Sequence, residues 1–195
     1  MYYGPPIDDH EILSRLPEDL RNALLSANGY VAYHGGLHVR GACLAPTWHS
    51  IRAAWDGPSA LHLLFPAIRP TDVPFAEDIL GDQFVVRDGA VFHLTGETGE
   101  LRPFADSLGA FEQGHLSDPD TYLSLQPLGA FRADGGTLGV GQLLSVHPPF
   151  CTAEAGQDVS YRAIDALELR AWLADFARQI SGLADGTKLT IEIRE

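Results

Sequence analysis

The stretch from Val73 to Leu101 constrains this chain most, because Asp88-Gly89 stands in it between two β-rich runs. An Asp-Gly pair accepts positive φ at both central positions, as a two-residue hairpin loop requires. The register follows: Val86 faces Val91, Val85 faces Phe92 and Phe84 faces His93. Alternate residues share a face, so Phe84, Val86, Val91 and His93 lie on one side, with Val85, Ala90, Phe92 and Leu94 on the other. Both sides carry apolar residues, which predicts an inner hairpin. A turn over Gly96–Gly99 returns Leu101–Phe104 as a third strand, and Asp106 or Ser107 caps a following helix that carries Leu108 and Phe111.

Upstream, Asp8 and Asp9 precede a short helical turn with Ile12 and Leu13, which stops before Pro17. Pro17, Glu18 and Asp19 open a stronger helix with Leu20, Leu24 and Leu25 on one face, and Asn28-Gly29 supplies its stop. Tyr30–Leu44 reads as a hairpin or two short strands around Gly35-Gly36. Thr47–Trp55 reads as a helix, with Trp48, Ile51 and Trp55 on one face, and Leu61–Phe65 as a buried strand. Downstream, Asp118-Pro119-Asp120 starts a helix through Tyr122 and Leu125, and Asp134-Gly135-Gly136 turns the chain before a strand with Leu143, Leu144 and Val146. Asp165 and Glu168 form a capping box for a last long helix whose stripe is Leu169, Trp172, Leu173, Phe176, Ile180 and Leu183. Leu189, Ile191 and Ile193 alternate as a final strand. The fold class expected is α+β, an antiparallel sheet packed against helices.

The 195 residues suit one domain with a substantial core. Thirteen basic against 26 acidic residues give a formal charge of −13, which repels nucleic acid and anionic membranes and would steer a basic protein toward the surface. No run approaches the roughly 20 apolar residues of a membrane span, and the N-terminus lacks the pattern of a secretory signal. Cys43 and Cys151 stand in no metal-ligand spacing and read as reduced thiols, so the expected location is the cytoplasm.

No catalytic, metal or cofactor signature stands out. His34 and His38 are four apart, but Gly35-Gly36 between them argues against a helix. Cys43 or Cys151 would need a base such as His49 or His147, which sequence cannot place beside them, and a small buried cysteine is the plainer reading. Gly139-Val140-Gly141 lacks the third glycine of a dinucleotide fingerprint. Glu77, Asp78 and Asp82 cluster beside a glycine without calcium-loop spacing, and a solvated or capping role suits them; with Glu97 and Glu100 they could instead form an acidic patch for a basic partner.

The succession Leu16-Pro17-Glu18-Asp19-Leu20, Leu24-Leu25, Asn28-Gly29 and then Pro74-Phe75-Ala76-Glu77-Asp78-Ile79-Leu80-Gly81-Asp82-Gln83-Phe84 with its hairpin resembles the SUKH superfamily of Smi/Knr-like regulators and bacterial immunity proteins. The likeness covers about residues 8–115; residues from about 116 to 195 extend past that core. What it implies is an α+β binding module that neutralises a toxin by direct contact and has no chemistry of its own. The alternative is a small-molecule enzyme or ligand-binding protein with a pocket between the sheet and the C-terminal helix, using His49, His93 or His147.

Overall fold

The structure is a computed structural model that describes residues 2–156, 159–184 and 186–188. Seven strands run in sequence order as one antiparallel meander: β1 (Tyr2–Tyr3), β2 (Tyr30–Ala32), β3 (Leu37–Val39), β4 (Val73–Asp78), β5 (Gln83–Arg87), β6 (Ala90–Thr95) and β7 (Glu100–Ala105). β8 (Gln142–His147) and β9 (Ser160–Asp165) make a separate antiparallel pair. The helices among the described residues are α1 (His10–Arg15), α2 (Glu18–Ser26), α3 (Ile51–Trp55), α4 (Leu61–Leu64), α5 (Leu108–Ser117), α6 (Pro119–Tyr122), α7 (Gln126–Ala133) and α8 (Ala166–Ile180). The fold is α+β, as the patterning predicts.

The hairpin forms in the expected register, with Val86 paired to Val91, Val85 to Phe92 and Phe84 to His93. Asp88 at φ 51° and Gly89 at φ 85° close it. Phe84, Val86 and Val91 join a core with Leu20 and Leu24 of α2, Ile51 of α3 and Phe111 of α5. Val85 and Leu94 face the other way, into a second core with Leu61, Leu143, Leu169 and Leu173. Helices thus cover both faces of the sheet, and each fully buried leucine contributes about 2 kcal/mol.

The capping groups act as their spacing suggests. Asp9 Oδ1 accepts the Ile12 amide at 3.1 Å, Ser107 Oγ the Ala110 amide at 3.1 Å, and Asp165 Oδ1 the Leu167 and Glu168 amides at 2.8 and 3.2 Å. Helix α2 ends at Ser26 with Ala27 extended, one step before the expected stop. Gly29, at φ 74°, then turns the chain into β2; a Cβ there would lie 2.6 Å from the Val39 carbonyl oxygen, which only glycine avoids.

Four expectations change, the first being the helix expected from Asp118 through Leu125, which ends at Tyr122, with Ser124 at φ 52° breaking it before α7. Leu61–Leu64 is a helical turn and not a strand: a short apolar run fits either state, and here the Phe65 amide bonds back to Leu61 O at 2.8 Å while Leu63 points to solvent. Thr47–Trp55 breaks at Ser50, whose extended backbone lets its side chain cap α3. Helix α8 stops at Ile180, leaving Leu183 outside it. The predicted strand at Leu189, Ile191 and Ile193 lies outside the described residues.

Candidate functional site

The site is built around Glu77, on a strand whose six residues are all buried. The ladder pairs His38 of β3 with Glu77, and Glu77 with Gln83 of β5, so three neighbouring strands present polar side chains in a row. Arg40, two residues past His38, returns to the same face, and α8 brings Arg170 down from above. Glu77 Oε2 accepts from Arg40 Nη2 at 2.6 Å, Arg170 Nη2 at 3.0 Å and Gln83 Nε2 at 3.0 Å, while Oε1 meets His38 Nδ1 at 2.8 Å. Arg40 also donates to Gln83 Oε1 at 2.6 Å and to the Pro74 and Ala76 carbonyls. Burial alone would push the Glu77 carboxyl up, but the two guanidinium groups and His38 outweigh it and hold the group well below the usual carboxylate range. Burial draws Arg40 down to about 10.

A hydrogen-bonded chain runs on from this cluster. His38 Nε2 lies 2.8 Å from His49 Nδ1, and His49 Nε2 lies 3.1 Å from the Asn28 carbonyl oxygen. A carbonyl only accepts, so His49 carries a proton on Nε2. Burial and then His38 push His49 down to about 4, and burial also lowers His38 against the pull of Glu77. Because the folded pKa of His49 lies below the unfolded 6.5, its protonation favours unfolding: stability is full above about pH 6.5 and falls as the pH drops toward about 4. Asp78, whose carboxyl burial raises, titrates in the opposite sense, so the comparison to make is with His49→Gln. Thermal unfolding of the natural chain should lose more midpoint between pH 7.5 and pH 5 than that variant does; an equal slope for both would contradict the assignment.

The five carboxylates expected to form a patch do not share a surface. Glu77 is 0% and Asp78 4% exposed, so neither can meet a partner. Asp78 Oδ1 instead takes the Leu80 and Asp82 amides at 2.9 and 3.0 Å and shapes the turn from β4 to β5. Asp82 accepts the Gly96 amide at 2.8 Å and sits 3.2 Å from His93 Nε2. Glu97 is occupied by the Phe150 and Cys151 amides, and Glu100 by Arg102. Proximity in sequence groups these carboxylates, whereas the strand's alternation turns Glu77 and Asp78 to opposite buried faces.

The other candidates also separate. Cys43 is buried and its thiol pushed up to about 12, Cys151 to about 11, both by burial first and nearby carboxylates second; neither is a ready thiolate at neutral pH. His49 is buried in the chain above, His93 lies beside Asp82, and His147 is exposed at the end of β8, so these three do not converge. His34, at φ 59°, lines a cavity of about 300 Å³ with His38, Trp48 and Arg132.

A larger cleft of about 720 Å³ lies between α2 and α5. Leu20, Leu24, Phe75 and Phe111 make its apolar floor, with Asp19 on the α2 wall and Glu112 on the α5 wall, both exposed. Tyr30 at the floor is raised to about 12, by burial first and the Glu112 charge second, so that charge is felt inside the cleft. Neither Asp19 nor Glu112 is in a salt bridge among the described residues, whereas most of the arginines are held by carboxylates elsewhere.

No protein-family model matches this chain, and no curated protein does. Among solved structures, the crystal structure of Atu4351 from Agrobacterium tumefaciens is similar, with a TM-score of 0.47 and 16% identity over 88% of this chain and 82% of that one. That likeness is too distant to bear on the site.

Proposed function

We propose that this chain is a non-enzymatic, cytoplasmic protein-binding domain that neutralises a basic toxin domain by covering it, as the SUKH resemblance implies. The observation that carries the reading is the cleft between α2 and α5: apolar at its floor, acidic on both walls and open to solvent. An amphipathic basic helix or loop would place apolar anchors on Leu20, Leu24 and Phe111 and its cations against Asp19 and Glu112. The formal charge of −13 would speed the encounter and compete with nucleic acid for the toxin's basic surface. None of the described helices is long and apolar enough to cross a membrane.

Capture of a basic protein from native lysate at low salt, weakening as salt rises and lost with Asp19→Lys/Glu112→Lys, would support this function. Capture that is unaffected by the two reversals would count against it. A second reading, a small-molecule site, is favoured by the cavity of about 300 Å³ between the sheet and the start of α8, where Trp48 lies over His38 at 4.8 Å and Arg132 stands at the wall.

A further inference from the structure

We infer that Asp78, Asp82 and His93 form a binding site for one divalent first-row transition ion, of the class from Mn²⁺ to Zn²⁺. The three offer ligand atoms that all lie within 4.8 Å of one another, and all three line a cavity of about 550 Å³ between the sheet and the α6–α7 segment. The inference does not depend on the partner reading, whose cleft is separate.

The case rests on how this chain treats its other buried carboxylates. Glu77 is neutralised by Arg40 and Arg170, Asp72 by Arg87 and Asp9 by Arg52. Asp78, only 4% exposed, has no salt bridge among the described residues, and the acidic group beside it in the cluster is another carboxylate, Asp82. Its Oδ1 is saturated by the Leu80 and Asp82 amides, whereas its Oδ2 makes no hydrogen bond among the described residues. That leaves one carboxylate oxygen free of protein partners at the cavity wall.

The donor set defines the ion. Two carboxylate oxygens and one imidazole nitrogen suit Mn²⁺, Fe²⁺, Co²⁺ or Zn²⁺ better than the all-oxygen preference of Mg²⁺ or Ca²⁺. The surroundings hold the donors in place: the Gly96 amide fixes Asp82 at 2.8 Å, and the His93 ring packs between Phe84 and Phe104 at 5.1 and 5.5 Å. Three protein donors leave further coordination positions open toward the cavity, where water or an anionic group can bind.

The test is titration of the metal-stripped full chain with Mn²⁺, followed by loss of the free-ion electron paramagnetic resonance signal, and then displacement by Zn²⁺. One Mn²⁺ per chain is expected. Asp82→Asn and His93→Phe should each weaken binding about tenfold or more. His93→Phe keeps the aromatic packing, and circular dichroism confirms the fold of each variant. If Asp82→Asn fails to fold, the His93 variant decides alone. No binding of either ion up to millimolar concentration, or binding unchanged in a folded variant, overturns the inference.

Discussion

Replacing Glu77 by alanine is expected to destabilise the protein by about 3–5 kcal/mol, because removing one member of a buried ion cluster leaves the others uncompensated. Arg40 and Arg170 are 0% and 3% exposed, so neither guanidinium can recover water when its carboxylate goes. The Nε atoms of both are already without partners, and loss of Glu77 would orphan Arg170 Nη2, take one of the two partners of Arg40 Nη2 and leave His38 Nδ1 unpaired. For a chain of this size the cost corresponds to a fall of roughly 6–20 °C in the unfolding midpoint. Glu77→Gln, which keeps the shape and an acceptor but loses the charge, should fall between the two. Chemical denaturation of the three proteins checks the order; an alanine variant within about 1 kcal/mol of the natural chain would mean the cluster does not hold α8 to the sheet.

The second large effect is expected in binding. Reversing Asp19 and Glu112 to lysine turns an acid-walled cleft into a basic one, and opposing like charges across an interface cost several kcal/mol. A loss of about thirtyfold or more in affinity for a captured basic partner follows from about 2 kcal/mol. Both positions are exposed, so the folded state should be little changed. The natural complex should also weaken with salt, since charges beyond about 10 Å are screened at 0.1 M. Surface plasmon resonance at two ionic strengths separates the terms: the reversed variant should lose association rate and most of the salt slope.

The sheet was legible because its signals are local. Asp88-Gly89 dictates its own loop, and alternation of Val, Phe and Leu dictates the faces, so register and burial of the hairpin follow from a dozen residues. Strand β9 is not legible in the sequence because Ser160-Tyr161-Arg162-Ala163-Ile164-Asp165 alternates weakly and pairs with a partner that is itself only six residues long. The polar cluster needed contacts between elements far apart in sequence: Glu77 and Arg170 are 93 residues apart. A hint was present in Arg170, which falls inside the buried stripe of Leu169, Leu173 and Ala174, where a cation requires a counter-charge. The same reasoning identifies Arg40, two positions past His38 in an apolar run. The cleft between α2 and α5 is not legible in the sequence, since each wall reads as a helix but their juxtaposition depends on the sheet beneath them.

The most direct test of the binding reading is co-expression of this chain with the product of an adjacent toxin-like gene, scored by survival of the host. The account predicts protection by the natural chain, and protection lost with Asp19→Lys/Glu112→Lys although the variant is folded and equally abundant. Survival that is equal with and without the two reversals, or no protection by the natural chain, would contradict it.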